Sequence, residues 1–329
     1  MRIVSLFSGA GGLDIGFKNA GFEVIWANEF DKVIWETFEK NFPNTVLDRR
    51  SIRDIRSSNV PDCEGIIGGP PCQSWSEGGT LKGIEDKRGQ LFFEFIRILR
   101  DKNPKFFLAE NVSGMLASRH KYALENIKNL LEESGYTLSF SLLNAVDYGV
   151  PQDRKRVFFI GIRNDLGFKF QFPAPLANKY VLQDVIYDIK NSALPAEEKQ
   201  YTNGEKCTLS NHEYMTGGFS SIFMSRNRVR SWHEPSYTIQ AGGRHAPIHP
   251  QAPKMVFVEQ NKRIFIQGKE DLYRRLSIRE CSRIQTFPDD HIFYYKNLIA
   301  GYKMVGNAVP CNLAFCLAKG IKEQMALCN

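Results

Sequence analysis

The sequence lacks the features that would place a protein in a membrane or outside the cell. No stretch reaches the ~18 consecutive apolar residues of a membrane-spanning helix, and residues 1–7 are not followed by the cleavage region of a signal peptide. The seven cysteines, an odd number without regular spacing, do not suit a disulfide framework. These absences predict a soluble, cytoplasmic protein without a membrane partner.

The first part of the chain also lacks an excess of charge of either sign. Residues 1–199 hold 26 basic and 26 acidic side chains, whereas residues 200–329 hold 17 and 10, so the whole net charge of +7 lies in the second part. Such a basic surface is typical of proteins that bind a polyanion. A solvated basic face without a partner has the same composition, so charge alone leaves both interpretations open.

Residues 1–165 alternate between short apolar runs and helical patterns. Strands are predicted at residues 3–7, 23–27, 65–67, 105–109 and 157–162, and helices at residues 89–100 and 119–134. This alternation predicts an α/β fold with a doubly wound, mainly parallel sheet that is covered on both faces.

The pattern changes after residue 167. Seven of the fifteen prolines lie between residues 173 and 253, where no helical period is sustained. Helical patterns return at residues 277–285 and from Pro310 onwards. We therefore predict a first domain at 1–172, a smaller loop-rich domain at 173–271, and a C-terminal segment, 272–329, that returns to the first domain.

A glycine-rich turn follows the first predicted strand. Glycines in the 7–12 segment let the backbone approach a ligand at the carboxyl edge of a parallel sheet. Glu29 ends the second strand about 20 residues later, where a carboxylate can bind ribose hydroxyls. Together the glycine turn and Glu29 suggest an adenosine-containing cofactor. Because the spacing of the glycines departs from G-x-G-x-x-G, a dinucleotide is not the favoured ligand. A purely structural glycine turn gives a similar pattern.

A rigid loop presents one cysteine after the strand at 65–67. Two successive prolines precede Cys72, and a thiolate at such a sheet edge can act as a covalent nucleophile. An arbitrary cysteine is usually a small buried apolar residue. The rigid loop, the strand end and the nearby glycine turn favour the catalytic interpretation here.

Polar side chains flank two further strands. Glu110 and Asn111 end the strand at 105–109, where a carboxyl can donate a hydrogen bond to a bound base, although an isolated glutamate there is usually a surface residue. Arg154 and Arg156 alternate just before the strand at 157–162 and so project on one side of an extended segment. Such arginines suit phosphate or a carbonyl, and a solvated basic run is the alternative.

In their order along the chain, these motifs resemble the DNA cytosine-5 methyltransferases of bacterial restriction–modification systems. The resemblance covers nearly the whole chain and rests on residues 7–12, 70–73, 110–112, 152–156, 275–288 and 306–310. The variable stretch is similar to that of the GGCC-specific enzymes of the HaeIII type, at residues 226–230, 234–235 and 249–253. The resemblance implies an S-adenosylmethionine-dependent methyltransferase fold, with cofactor and catalysis at 1–172 and target recognition at 173–271.

The resemblance also implies a role for each catalytic candidate. Cys72 would attack C6 of a flipped-out cytosine, Glu110 would bind the ring at N3, and Asn111 would hold the loop. Arg156, together with Arg154, would contact the base and its phosphate. C5 would then take the methyl group of S-adenosylmethionine, leaving S-adenosylhomocysteine.

A cofactor pocket follows from the same resemblance. Its implied members are Phe7, Gly9, Gly12 and Leu13 at the methionine end, Glu29 at the ribose, Phe30 and Ile52 at the adenine, and Gly69, Pro71, Leu91, Asn307 and Ala308 around them. Ser51 stands where the family usually has an aspartate that accepts a bond from the adenine amino group. A hydroxyl accepts more weakly than a carboxylate, so we expect lower cofactor affinity than in relatives.

The implied substrate is duplex DNA, methylated at the inner cytosine of GGCC. The candidate DNA-binding side chains are Arg226, Arg228, Arg230 and Arg244. Arginine suits guanine O6 and N7, but at least one of the four is expected to bind only phosphate, with Arg230 as the candidate. We expect a monomer whose functional counterpart is a restriction endonuclease, without a required complex.

Three alternatives stay open on the sequence alone. A nicotinamide-dependent oxidoreductase would explain the 7–12 segment and Glu29 but gives Cys72 no task. A tRNA cytosine-5 methyltransferase shares the chemistry but does not need a long variable region that resembles a DNA-reading one. A catalytically silent DNA-binding protein is disfavoured because Cys72 and Glu110 are both present. No metal is expected, since the cysteines and histidines lack the spacing of zinc ligands.

Overall fold

The computed structural model describes residues 1–71 and 90–327. Its strands are β1 (Arg2–Leu6), β2 (Glu23–Asn28), β3 (Val46–Asp48), β4 (Gly65–Gly68), β5 (Phe106–Val112), β6 (Tyr136–Asn144), β7 (Lys155–Arg163), β8 (Leu194–Pro195), β9 (Glu213–Tyr214), β10 (Val256–Glu259) and β11 (Lys262–Ile264). Its α-helices are α1 (Gly12–Asn19), α2 (Trp35–Asn41), α3 (Gln90–Lys102), α4 (Lys121–Glu133), α5 (Leu182–Ile186), α6 (Ile278–Ile284), α7 (Leu298–Asn307) and α8 (Cys311–Ala326).

The chain forms two compact units. Unit 1 comprises Met1–Asn144, Lys155–Pro175 and Leu313–Asn329, and unit 2 comprises Ala145–Arg154 and Leu176–Asn312. A compact unit does not by itself define a functional domain. The boundaries drawn above after residues 172 and 271 therefore stay predictions.

Unit 1 is built around a seven-stranded sheet with the strand order β3-β2-β1-β4-β5-β7-β6. The pairs β2–β3, β1–β2, β1–β4 and β4–β5 are parallel, whereas β7 runs antiparallel to both β5 and β6. The predicted α/β, doubly wound fold is therefore confirmed. All five predicted strands are present, and β3 and β6 are two strands that the apolar runs did not indicate.

The core of unit 1 is rich in aromatic side chains. Phe107 on β5 packs edge-on against Phe95 of α3 and Tyr136 of β6, with ring centroids 6.1 and 5.1 Å apart. Rings in this arrangement add attraction to the area that they bury. The helical spacing of Ala123, Ile127, Leu130 and Leu131 predicts α4, in which Ile127 and Leu131 are buried and Ala123 and Leu130 are half-buried.

Unit 2 has little regular structure. Its strands form two small sheets, β8–β9 and β10–β11. A buried cluster that includes Phe223, Val229, Ile248 and Tyr273 supports the loops between them. This agrees with the loop-rich character that the proline distribution predicts.

One segment of the described chain, Leu298–Ala326, is long and apolar enough to cross a membrane by length and composition. Most of it is buried within the fold, and it consists of two helices, α7 and α8. Buried core helices have the same composition, so this is weak evidence for a membrane span.

Candidate active site

Several predicted site residues of unit 1 lie at one edge of the sheet. The 7–12 segment follows β1, Glu29 follows β2, Gly69 follows β4, and Glu110 lies near the end of β5. These four strands are parallel, so their carboxyl ends meet at the same edge. Ligands of open α/β sheets bind at this edge.

The glycine segment leaves its backbone accessible. Gly9 has φ +56°, and among residues 1–71 and 90–327 no atom beyond its two chain neighbours lies within 4 Å of the position that a Cβ would take. At Gly11 a Cβ would lie 2.2 Å from the ring of Phe42, and φ is +86°, so both the contact and the backbone conformation disfavour a side chain. Phe7 adopts φ 55°, a strained value for a residue that carries a side chain. Strain at a turn of this kind is typical of a ligand-binding backbone.

Hydrogen bonds tie the glycine segment to its neighbours. The backbone N–H of Gly9 donates to Oε2 of Glu29 at 2.9 Å, and that of Asp31 donates to Oε1 at 2.7 Å. Nδ2 of Asn28 donates to the carbonyls of Asp48 and Arg50, at 2.9 Å each. The loops after β1, β2 and β3 are thereby held together, and the Glu29 carboxylate has a fixed orientation.

The predicted adenine neighbours differ in exposure. Phe30 is 68% exposed and offers an open ring face, whereas Ile52 is 2% exposed and packs in the core. Ser51 caps the short helical turn Ile52–Asp54, with its Oγ accepting from the N–H of Arg53 at 3.4 Å. The Ile52 side chain therefore offers little surface to a ligand, and the contact of this residue with adenine stays a prediction.

The remaining predicted pocket residues divide between the two units. Gly12 and Leu13 are buried at the start of α1, and Pro71 and Leu91 are half-buried. Asn307 is exposed at the last position of α7, and Ala308 caps that helix. These last two belong to unit 2, and their contribution to the pocket stays a prediction.

Glu110 and Arg156 form an ion pair at the sheet edge. Nε of Arg156 lies 2.9 Å from Oε1 of Glu110, with only 15% and 11% of the two side chains exposed. Burial lowers the pKa of the Arg156 guanidinium, and the charge of Glu110 opposes this shift. The reversed direction of β7 explains the pairing, because it places the start of β7 beside the end of β5, with Arg156 opposite Val112.

The same pair borders the loop that leads to Cys72. A Cβ on Gly69 would lie 3.2 Å from Oε2 of Glu110, so the absence of a side chain allows their close approach. Nδ2 of Asn111 donates to the carbonyl of Pro70 at 3.2 Å, and its Oδ1 accepts from the N–H of Val112. Asn111 is therefore bonded to the loop, while Cys72, with the rest of 72–89, lies outside the described residues.

Arg154 lies elsewhere than the sequence analysis predicts. It is 1% exposed, and its guanidinium donates to the carbonyls of Ile239, Gly306 and Ala308 at 2.9–3.0 Å. A guanidinium that is buried on backbone carbonyls cannot reach a DNA phosphate or a base. The predicted role of Arg154 in substrate contact is therefore wrong for this conformation, and its role is structural.

The candidate DNA-binding arginines form two groups. Arg226 and Arg244 are exposed. Arg228 donates to the carbonyls of Phe223 and Ile222, at 2.8 and 3.0 Å. Arg230 pairs with Glu234 at 3.1 Å and lies over the ring of Tyr237. Their contact with DNA stays a prediction.

Two buried glutamines were missed as functional candidates. Gln152 and Gln285 are fully buried in unit 2 and joined by a 2.8 Å hydrogen bond. Both lie inside segments that carry the family resemblance, 152–156 and 275–288. Since 133 positions separate them, no local pattern indicates that they are paired.

The fold and the sheet-edge site define a class of protein. A seven-stranded sheet with one reversed strand, an open glycine turn after β1 and a fixed glutamate after β2 suit S-adenosylmethionine, because they offer backbone to the methionine end and a carboxylate to the ribose. This is the architecture of the S-adenosylmethionine-dependent methyltransferases.

Comparison with known proteins gives the family. The model of the C-5 cytosine-specific DNA methylases matches residues 1–323, and the chain belongs to this family. It is 57% identical to the Type II methyltransferase M.FnuDI of Fusobacterium nucleatum, over 99% of this chain and 95% of that protein. It is 54% identical to the Type II methyltransferase M.NgoPII of Neisseria gonorrhoeae, over 99% and 96%. A variant of Spodoptera frugiperda DNMT2 has the same fold, with a TM-score of 0.70 at 19% identity over 99% of both chains.

Family membership confirms several predictions. The protein is a DNA cytosine-5 methyltransferase, and S-adenosylmethionine is its methyl donor. The nicotinamide-dependent oxidoreductase and the catalytically silent DNA-binding protein are therefore set aside. Among residues 1–71 and 90–327, no group of three or more histidine, cysteine or acidic side chains is placed to hold a metal.

Proposed function

We propose that the protein methylates C5 of a flipped-out cytosine in duplex DNA through a covalent bond to Cys72. The observation that carries the proposal is the buried Glu110–Arg156 pair, which lies beside the loop that Asn111 holds through Pro70. Cys72 follows Pro70 by two positions. A carboxyl and a guanidinium at the sheet edge, with a thiol two positions along the sequence from Pro70, suit attack on a pyrimidine ring.

The proposal assigns a role to each of these residues. The Cys72 thiolate forms a bond to C6, while Glu110 binds N3 and stabilises the charge that moves into the ring. Arg156 orients Glu110 and contacts the base. S-adenosylmethionine supplies the methyl group that C5 receives. Loss of the C5 proton then returns an electron pair to the ring, and the bond between C6 and Cys72 breaks.

Four of the five other described cysteines have raised thiol pKa values, which supports the choice of Cys72. Burial raises the pKa of the Cys63 thiol to about 11 and that of Cys207 to about 12. Burial also raises the pKa of Cys281 and Cys316. A thiol with a raised pKa is rarely ionised at neutral pH and is a poor nucleophile.

The glycine turn and Glu29 would hold the donor. The open backbone at Gly9 suits the methionine end, the fixed Glu29 carboxylate suits the ribose hydroxyls, and the exposed Phe30 ring suits the adenine face. By family resemblance, Asn307 and Ala308 would complete the cofactor pocket.

The proposed target is the inner cytosine of GGCC. Support comes from the resemblance of the variable stretch to GGCC-specific enzymes and from four arginines that suit guanine or phosphate. The cytosine must leave the duplex, because stacking hides C6, and protein–DNA contacts must offset a cost of a few kcal/mol. The protein would act as a cytoplasmic monomer and protect DNA from a restriction endonuclease that it need not bind.

The experiment combines trapping with protection. A duplex with 5-fluorocytosine at the inner position of GGCC lacks the removable C5 proton, so it should form a stable adduct at Cys72. Cys72→Ser should lose the adduct and methyl transfer while DNA binding persists, because serine ionises far less readily. Cys63→Ser is the matched control and should react like the wild type.

Two results would contradict the proposal separately. An adduct mapped to another cysteine would exclude Cys72 as the nucleophile. Wild-type protein that leaves GGCC sites open to a GGCC endonuclease in the presence of S-adenosylmethionine would exclude the target.

A further inference from the structure

A chain of buried amides crosses unit 2 and has no task in the chemistry above. The N–H of Ile239 donates to Oε1 of Gln152 at 2.9 Å, and Nε2 of Gln152 donates to Oε1 of Gln285 at 2.8 Å. Nε2 of Gln285 then donates to the carbonyls of Val305 at 2.8 Å and Ala308 at 3.3 Å. Both glutamine side chains are fully buried.

This series of hydrogen bonds has a fixed direction. A backbone N–H, which can only donate, begins it at Ile239, and backbone carbonyls, which can only accept, end it at Val305 and Ala308. Rotating either glutamine amide would place two donors or two acceptors face to face in a site without solvent. Because buried polar groups must be paired, the four segments that the chain joins are held in one arrangement.

Arg154 also joins the segments that contain Ile239 and Ala308. It donates to the carbonyl of Ile239 at 3.0 Å and to those of Gly306 and Ala308 at 2.9 Å. A Cβ on Gly306 would lie 2.3 Å from the carbonyl carbon of Gln240, so the two backbones pack in direct contact. A shift of segment 239–241 must therefore displace segment 306–308, and the reverse also holds.

Segments 239–241 and 306–308 each lead to or contain a residue that is proposed to bind a ligand. The 239–241 segment runs into the short helical turn Gly243–His245, which exposes Arg244. The 306–308 segment contains Asn307, which is exposed at the end of α7. Arg244 is a proposed DNA contact, and Asn307 is a proposed cofactor contact.

We propose that Gln285, bonded to Gln152, is a positioning residue that couples cofactor occupancy at segment 306–308 to DNA binding at segment 239–244. The inference rests on the proposed function, which assigns Asn307 and Arg244 to those ligands. Coupling of this kind is reciprocal, so the cofactor product tightens DNA binding by the same factor by which DNA tightens product binding.

The test measures that factor. The Kd of a GGCC duplex is determined with and without saturating S-adenosylhomocysteine, and the ratio of the two values is compared between proteins. We expect a ratio of about 10 for the wild type and about 2 or less for Gln285→Met, whose side chain has similar length but cannot bond along the chain. The Kd of S-adenosylhomocysteine with and without DNA should give the same ratios.

The ratio separates positioning from general damage. A purely structural role would weaken both affinities and leave their ratio unchanged. Gln267→Met, an exposed glutamine of unit 2, is the matched control and should keep the wild-type ratio. Should Gln285→Met fail to fold in a thermal melt, Gln152→Met breaks the same chain on the Ile239 side and gives the same comparison.

The outcomes are distinct. A wild-type ratio near 1, or an unchanged ratio in the folded variant, would overturn the coupling. Methylation of GGCC by the same wild-type preparation tests the proposed function independently. An enzyme that methylates GGCC but keeps its ratio in Gln285→Met contradicts the coupling alone.

Discussion

At the scale of single residues, the Ser51 hydroxyl has one observed role and one proposed role. The structure shows its Oγ as the cap of Ile52–Asp54, and the resemblance makes it the acceptor for the adenine amino group. A hydroxyl oxygen has two lone pairs and can serve both, but weakly. Aspartate is also a favoured N-cap, so Ser51→Asp keeps the cap while it adds a charged acceptor.

We therefore expect Ser51→Asp to tighten S-adenosylmethionine binding by about 1 kcal/mol, or roughly fivefold, because a charged acceptor makes the stronger hydrogen bond. Calorimetric titration of the two proteins measures this. Ser51→Ala should weaken binding and slightly lower thermal stability through loss of the cap. Equal affinities of the serine and aspartate forms would remove Ser51 from the adenine site.

The sequence predicts the location of a residue where the signal is local. Glu110 and Asn111 lie at the end of an apolar strand, and a strand end at a parallel sheet edge predicts where they lie. The burial of Arg154 was not predictable, because its acceptors at Ile239 and Gly306 are 85 and 152 positions away. An alternating Arg–Lys–Arg segment gives no sign that one arginine faces the interior.

At the scale of elements, the reversal of β7 shapes the site. A parallel β7 would have placed Arg156 at the opposite edge of the sheet from Glu110. The apolar run at 157–162 predicts the strand but not its direction, because direction depends on the connection from β6. The antiparallel pairing of β6 and β7 fixes it.

The arginine segment 226–230 belongs to the same scale, since its side chains are held to different degrees. Arg228 uses two of its five N–H donors on the carbonyls of Phe223 and Ile222, which orients the guanidinium and leaves three donors for a base. Arg230 already has Glu234 as a partner. Arg228 is thereby suited to reading guanine, and Arg230 to a phosphate contact.

We expect Arg228→Ala and Arg244→Ala to lose about 1–3 kcal/mol of discrimination between GGCC and AGCC duplexes. Arg230→Ala should weaken both duplexes alike and lower the salt dependence of binding. Fluorescence anisotropy with S-adenosylhomocysteine at several salt concentrations measures both effects. Uniform weakening in the first two variants would show that they are not the base readers.

At the scale of the whole molecule, two buried groups give stability opposite pH dependences. Burial raises the pKa of Asp14 in unit 1 to about 7, an effect that the Ser5 hydroxyl reduces. Burial lowers the pKa of His249 in unit 2 to about 4, against the attraction of Glu280. The Glu280 carboxylate is already engaged by Arg274 at 2.7 Å, so it does not hold the imidazole in its charged form.

The signs follow from proton linkage. Asp14 binds its proton more tightly in the folded chain than its ordinary pKa of 3.8 allows, so its contribution is present below pH 3.8 and lost as pH rises through 7. His249 binds its proton less tightly than its ordinary pKa of 6.5 allows, so its contribution is present above pH 6.5 and lost as pH falls through 4. Between pH 5 and pH 8 each effect is on the order of 2 kcal/mol, and the two oppose each other.

We therefore expect single variants to show a dependence of melting temperature on pH that the two opposite effects cancel in the wild type. Asp14→Asn removes the loss at high pH, so its melting temperature should rise from pH 5 to pH 8 relative to the wild type. His249→Asn retains an acceptor in place of Nδ1, which accepts from the N–H of Gln251, but it cannot take up a proton. Its melting temperature should therefore fall over the same range relative to the wild type.

Each change should amount to several degrees, at about 2–4 °C per kcal/mol for units of this size, and the double variant should recover a nearly flat profile. Calorimetric melts in matched buffers measure all four proteins. Parallel profiles for the wild type and Asp14→Asn would mean that Asp14 stays ionised in the folded chain and that its burial is compensated locally.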